Sequence, residues 1–335
     1  MQARALIALL PTLALVGCGG SGSSGESGTL LGAGSTLVAP LVAQWSNAFT
    51  GATITYGAIG SGGGIAQIAG RGVDFGASDA PLTPDQASAC KDCVQLPWAL
   101  SAALASYNLE GAPAKLKLSG PVLANIFLGK VTRWNDPAIA KLNPGARLPS
   151  TTITPVYRSD GSGDTYAFSD YLAKVSPEWK SKLGVSTQVS FPEGIGGRGS
   201  DGVAAVIGRM NGAIGYLGKS YVLANKLDYA LIRNEAGRYP VPGAATITAA
   251  ADAVKTIPPD NAISITNPPA SAPDAYPIST FTYVLFPTTS GKAKTLRDFI
   301  TYAIGPGQKF AAKLQFAPLP AKVVSADKQT LAKLG

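Results

Sequence analysis

Val156-Tyr157-Arg158-Ser159-Asp160-Gly161-Ser162-Gly163-Asp164-Thr165-Tyr166 lies near the middle of the chain and sets the reading of the rest. An apolar, β-prone lead-in over residues 153–157 runs into a Gly/Ser/Asp turn, after which Phe168, Tyr171, Leu172 and Val175 recur at helical spacing. The pattern predicts a strand, a tight loop and a helix N-terminus. The first N–H groups of a helix lack partners within it and carry about half a positive charge, so such a loop can receive an anion, here with Arg158 beside it. A capped helix start with no ligand explains the same stretch taken alone.

The same arrangement is predicted twice upstream. Residues 29–34 read as a strand, and Ser35-Thr36 with Pro40 as a helix start carrying Leu37, Leu41, Trp45 and Phe49. Residues 54–56 read as a strand, Ile59-Gly60-Ser61-Gly62-Gly63-Gly64 as a loop whose glycines let backbone N–H groups approach a ligand, and residues 65–69 as a short helix. Val73-Asp74-Phe75-Gly76-Ala77-Ser78-Asp79-Ala80-Pro81 is then a buried-type strand ending in a carboxylate and a proline stop. A helix over 84–90 precedes a Leu/Ala-rich segment, 94–107, holding a strand that crosses to a second lobe. Residues 122–141 read as helical, with a new start at Asp136-Pro137, and 247–254 as a further helix. Residues 278–286 alternate like a strand returning to the first lobe, and helices over 291–303 and 308–314 close the chain. Gly194-Ile195-Gly196-Gly197-Arg198-Gly199 matches G-x-G-x-x-G but lacks the acidic residue about twenty positions on, so it reads as a glycine loop over a helix start. Strand and helix alternation in both halves predicts an α/β fold with mostly parallel sheets flanked by helices.

With 335 residues and 46% hydrophobic content, the chain can fill about two cores. It contains no histidine, which removes Ser-His-Asp and Cys-His catalysis and most transition-metal sites; no cofactor and no metal are expected. The net charge of +8 is scattered, without basic runs or aromatic interleaving, so nucleic acid is not an expected partner. Arg4, an apolar run over 5–16 and small residues beyond predict an export signal at 1–17, too short for a membrane span. Residues 18–28 are a Gly/Ser tether. In an exported chain Cys90-Lys91-Asp92-Cys93 favours a local disulfide, since a redox centre lacks a thioredoxin-like setting here and zinc needs two more ligands.

Taken in order, Gly32-Ala33-Gly34-Ser35-Thr36, Gly60-Ser61, residues 73–81, Arg158 with Asp160-Gly161-Ser162-Gly163, and residues 201–204 through 212–216 resemble the periplasmic phosphate-binding proteins of phosphate ABC importers. The resemblance runs from about residue 29 to 320. It implies a type II-like periplasmic-binding-protein fold: lobe I from 29–106 with 280–335, lobe II from 107–279, hinged and closing on one buried inorganic phosphate. By motif position Thr36, the Leu37 N–H, Ser61, Ser162 and the Gly163 N–H would donate to phosphate, and Arg158, oriented by Asp160, would add charge-assisted donation. Asp79 would discriminate, because an ionised carboxylate only accepts and so must face a ligand O–H, which phosphate and arsenate keep and sulfate lacks.

Leu15-Val16-Gly17-Cys18 resembles a bacterial lipobox, which implies Cys18 as the lipid-bearing residue and anchoring at the outer face of the cytoplasmic membrane; plain secretion is the alternative. The implied partners are the membrane permease of the importer and phosphate, with the chain a monomer. Two positions depart from the family pattern: Leu37 for a usual Phe, and Asp164 for a common Thr. Asp164 either favours the first helical turn or accepts a second ligand proton. A phosphate-sensing or adhesive surface lipoprotein shares the implied fold, whereas a phosphatase-like enzyme would need a metal or activated nucleophile.

Overall fold

The computed structural model describes residues 28–113 and 115–335; the expected signal at 1–17, Cys18 and residues 18–27 of the tether lie outside the described residues. The first half runs β1 (Thr29–Gly34), α1 (Ala39–Ala48), β2 (Thr53–Ala58), α2 (Ser61–Ala69), β3 (Phe75–Ser78), α3 (Pro84–Cys90) and β4 (Cys93–Tyr107). Pro40 sits in the first turn of α1, and Thr83 with Gln86 forms a capping box on α3. Helix α2 begins at Ser61, so Gly62, Gly63 and Gly64, expected as loop, form its first turn. Close packing explains glycine in a helix here. A Cβ on Gly64 would lie 2.6 Å from Gly34 Cα and 2.7 Å from the Ala33 and Ala77 carbonyl oxygens, so α2 rests directly on β1 and β3.

The second half runs β5 (Lys117–Leu118), α4 (Gly120–Phe127), α5 (Pro137–Ala140), β6 (Thr154–Arg158), α6 (Gly163–Val175), α7 (Pro177–Lys182), β7 (Ile195–Gly197), α8 (Gly199–Arg209), β8 (Ala213–Gly218), α9 (Lys219–Ala224), β9 (Asp228–Tyr229), β10 (Leu231–Ile232) and α10 (Ala244–Asp252). Then come β11 (Ser279–Pro287), α11 (Ala293–Ile304), 3-10 turns at Pro306–Phe310 and Ala312–Leu314, and α12 (Ala321–Leu331). Three expectations are corrected. The helix expected over 122–141 breaks after Phe127, with Gly129 at φ +71°, and resumes only as α5, capped by Asp136. The segment expected as a helix over 308–314 is two 3-10 pieces. Helix α12 was not expected, because it buries few large apolar side chains beyond Val323 and Leu331.

Among the described residues one nine-stranded sheet runs β2-β1-β3-β11-β4-β8-β6-β7, with β9 also on β4, and β10 pairs β5 separately. Pairing is parallel on both flanks, β1 with β2 and β3, β6 with β7 and β8. It is antiparallel at the centre, where β4 and β11 pair with each other and with their other neighbours. Strand β4 pairs β11 over residues 93–102 and β8 over 103–107, so a single strand enters both halves of the sheet. Every position of β11 is buried, so it lies between two packed layers and the expected alternation has no exposed side to mark. No helix among the described residues is long and apolar enough to cross a membrane.

The seat of α2 gives a stability test. Gly64→Ala must push α2 off two backbones, and overpacking of this kind costs about 1–3 kcal/mol. Urea unfolding should show that loss, whereas Gly111→Ala, at an open position, should cost only what its φ of +77° demands.

Candidate functional site

Four helix N-termini meet where the two halves of the sheet face each other. The Ser35–Val38 turn leads into α1: Ser35 Oγ accepts from the Val38 N–H at 3.3 Å and lies 2.6 Å from both Asp79 carboxylate oxygens. Ser61, first residue of α2, accepts from the Asp79 N–H at 3.2 Å and from the Gly163 N–H at 3.0 Å. Its hydroxyl donates to Asp79 Oδ2 at 3.2 Å. Thus one hydroxyl ties β3, α2 and the first turn of α6 together. Ser162 is the N-cap of α6 and accepts from the Thr165 N–H at 3.4 Å.

Arg158, at the end of β6, is 3% exposed. Its Nε and Nη2 fork onto the Asp160 carboxylate at 2.8 and 2.5 Å, and the Gly199 N–H at the start of α8 donates to the same carboxylate at 2.9 Å. Its Nη1 donates to Thr36 Oγ1 at 3.0 Å and reaches Asp164 Oδ2 at 3.4 Å. Thr36 Oγ1 also lies 2.7 Å from Ser200 Oγ in α8. Leu37, expected to act through its backbone, also has a wholly buried side chain, seated so that a Cβ on Gly218 of β8 would fall 2.1 Å from it. Thr36, Leu37, Ser61, Asp79, Arg158, Asp160, Ser162, Gly163 and Asp164 are therefore brought together. Cys90 and Cys93 form a disulfide elsewhere on the first half.

Other contributors were not singled out from the sequence. Ser35 holds Asp79, Ser200 meets Thr36, and the Tyr56 and Tyr221 hydroxyls donate to the Ser35 and Thr36 carbonyls at 2.8 and 2.7 Å. The available signal for Ser200 was the glycine run at 194–199, expected as a loop; residues 195–197 are instead strand β7, and with Arg198 and α8 they make a fourth strand-loop-helix element.

Close approach across the halves depends on glycine. A Cβ on Gly163 would lie 2.3 Å from Asp79 Cβ, and one on Gly60, at φ +88°, would lie 2.4 Å from Asp160 Oδ2. The Gly62 N–H donates to the Gly161 carbonyl at 3.0 Å, a direct bond between the two loops.

Asp79 and Asp164 are 2% and 0% exposed. Burial, and then the charge of Asp164, pushes the Asp79 carboxyl up to about 7, against the Ser35 and Ser61 hydroxyls and Arg158. Burial pushes Asp164 up to about 6, against the Arg158 charge and the Ser200 hydroxyl and with the Asp160 charge. Among the described residues Asp164 Oδ1 is buried with no partner at hydrogen-bond distance, and the carboxylate sits in the first turn of α6. Asp160 goes the other way: burial opposes it, but the Arg158 and Gly199 hydrogen bonds hold it below the usual range. The guanidinium, which burial alone would lower, is held above its ordinary value by Asp160 and Asp164.

A carboxyl raised on folding contributes stability that is complete below its unfolded pKa and is lost as pH climbs through the folded value. For this pair the loss spans about pH 4 to 7; Asp327 in α12, raised by burial to about 9, adds the same sign over a longer window. The ligand-stripped chain should therefore melt several degrees lower at pH 8 than at pH 5. Asp79→Asn should flatten that slope, and an unchanged slope by calorimetry would refute the assignment.

A family model described as a PBP superfamily domain matches residues 19–306. The phosphate-binding protein PstS of Xylella fastidiosa (strain Temecula1) is 44% identical over 301 residues, covering 88% of this chain and 82% of that protein. PstS of Pasteurella multocida is 39% identical, covering 88% of each. A solved high affinity periplasmic phosphate-binding protein, PfluDING, bound with phosphate, superposes with a TM-score of 0.73 at 21% identity, covering 90% of this chain and 93% of that one.

Proposed function

The chain belongs to the PBP superfamily and, within it, to the PstS phosphate-binding proteins, and from that premise we propose how its own residues bind inorganic phosphate and serve an importer. Residues 29–106 with 280–335 act as lobe I and 107–279 as lobe II, turning about the two strands β4 and β11 that join them. Phosphate enters between the lobes. Thr36, the Leu37 N–H and Ser61 donate from lobe I; Arg158, Ser162 and the Gly163 N–H donate from lobe II. Asp160 sets the guanidinium plane by its fork.

The observation that carries this reading is Asp79, a buried carboxylate set among hydroxyl, guanidinium and amide donors from both lobes. An ionised Asp79 accepts a proton that hydrogen phosphate has and sulfate lacks. Two facing acceptors with no proton between them cost several kcal/mol in a dry site. Its raised pKa adds a refinement: below about 7 Asp79 carries a proton itself and can donate, so rejection of sulfate weakens in acid. Asp164, buried with Oδ1 unpaired, accepts a second ligand proton and shifts preference toward dihydrogen phosphate.

Delivery to the membrane permease of a phosphate ABC importer follows from the family role. Cys18 as a lipidated residue and 18–28 as a tether would hold the folded lobes within reach of that permease at the outer face of the membrane. The chain carries no histidine to activate a nucleophile or leaving group, which supports binding rather than hydrolysis.

Calorimetry tests the reading. At pH 8 phosphate and arsenate should bind and sulfate should not; at pH 5.5 sulfate should compete measurably. Tight sulfate binding at pH 8 would falsify the role given to Asp79. Arg158→Met should weaken phosphate by about 1.5–3 kcal/mol, the worth of a hydrogen bond to a charged group. Wild-type affinity should fall more steeply above about pH 6 than that of Asp164→Asn, and coincident pH profiles would remove the second-proton role.

A further inference from the structure

The Cys90–Cys93 disulfide carries a guanidinium. Cys90 ends α3 and Cys93 opens β4. Arg71 follows α2 with φ at +58°, in the left-handed region that favours glycine, although glycines stand on both sides of it. Its Nη1 lies 3.1 Å from Cys93 Sγ and 3.7 Å from Cys90 Sγ. Nη1 also donates to the Ile68 carbonyl at 3.4 Å, Nη2 donates to the Cys90 carbonyl at 3.2 Å, and Asp92 pairs with Nη2. Pairing with Asp92 alone could be made from solvent. The two carbonyls instead hold the guanidinium with its Nη1 edge toward the sulfurs.

A disulfide sulfur has little use for a fixed positive charge, whereas a thiolate is stabilised by one. The two sulfurs also differ in access. Cys90 is 1% exposed, while Cys93 is partly exposed and lines a cleft of about 500 Å³ shared with Leu82, Pro84, Ala87, Gln95 and Pro259. We propose that Cys90–Cys93 is a thiol–disulfide exchange site, in which a dithiol reductant attacks Cys93 from the cleft and Arg71 stabilises the thiolates released. One reductant thiolate bonds to Cys93 Sγ as the S–S bond breaks, and Cys90 leaves as a thiolate beside Arg71. The second reductant thiolate then attacks its own partner sulfur, closes the reductant's disulfide and frees the Cys93 thiolate. Two electrons pass to the protein, and the thiolates take protons from water according to their pKa. Arg71 is a positioning residue that acts through the leaving group, since a thiol of lower pKa leaves faster.

Reduction of the full chain by dithiothreitol, followed by acid quench and mass spectrometry, tests the site. Arg71→Met should slow reduction by about three- to tenfold, with Arg71→Lys falling between it and wild type. Equal rates for wild type and Arg71→Met would overturn the proposal. A second measurement needs no variant: in the reduced wild-type chain, the pH midpoint of Cys93 alkylation by iodoacetamide should lie at least about one unit below the ordinary thiol value of about 8.5. A midpoint at or above that value overturns it too.

Discussion

Three carboxylates and one guanidinium meet at the junction of the lobes, and the helix starts and hydroxyls around them are set against that excess of negative charge. Asp79, Asp160 and Asp164 surround Arg158, in the place proposed above for phosphate. Coulomb's law alone would make such a site repel phosphate. The compensation comes from elements that carry no formal charge. Four helices, α1, α2, α6 and α8, aim their N-terminal ends inward, and hydroxyls from Ser35, Thr36, Ser61 and Ser200 line the junction. Of the three acids, only Asp160 is fully matched, by the fork of Arg158 and the Gly199 N–H. The other two resolve the conflict by holding protons at higher pH than exposed carboxylates do.

The sheet makes this junction possible because its centre belongs to both lobes. Strand β4 changes partner from β11 to β8 after Ala102, so the loops at the ends of β1, β3 and β6 converge at one place while joined by little chain. Convergence at hydrogen-bond distance then requires backbone to meet backbone. Gly60, Gly62, Gly161 and Gly163 stand where the lobes touch, and side chains at Gly60 or Gly163 would enter the Asp160 or Asp79 carboxylate. The glycines of these loops thus serve closure at least as much as they serve approach to a ligand.

What the sequence disclosed follows from which interactions are local. A strand, turn and helix start within one segment leave a signature of apolar spacing and turn residues, so the loops bearing Ser61, Arg158 and Ser162 were legible, as was the strand ending at Asp79. Their identity as one site came from the order of motifs rather than from any single one. Ser200 and Thr36 stand 164 residues apart and touch only because both lobes close, and nothing local to either announces it. Arg71 is the same case: its meaning depends on Cys90 and Cys93, which reach it through the packing of α2 against α3. Helix α12 was missed for another reason, since it packs against β4 with few large apolar residues and gives little periodic signal.

Selectivity in such a site is a matter of counting protons. Hydroxyls can turn to donate or accept, and amides and the guanidinium only donate, so any tetrahedral oxyanion can satisfy that part of the shell. The carboxylates are the exception, and each demands a proton from itself or from the ligand. On the reading proposed for Asp164, which stands where the resemblance implies a threonine, this site makes that demand twice rather than once. The second demand narrows the range of pH over which a dianion is welcome, because the ligand and the two acids must together hold enough protons to separate every pair of facing oxygens. On that reading, an aspartate at this one buried position would move control of binding from the shape of the anion toward its state of protonation.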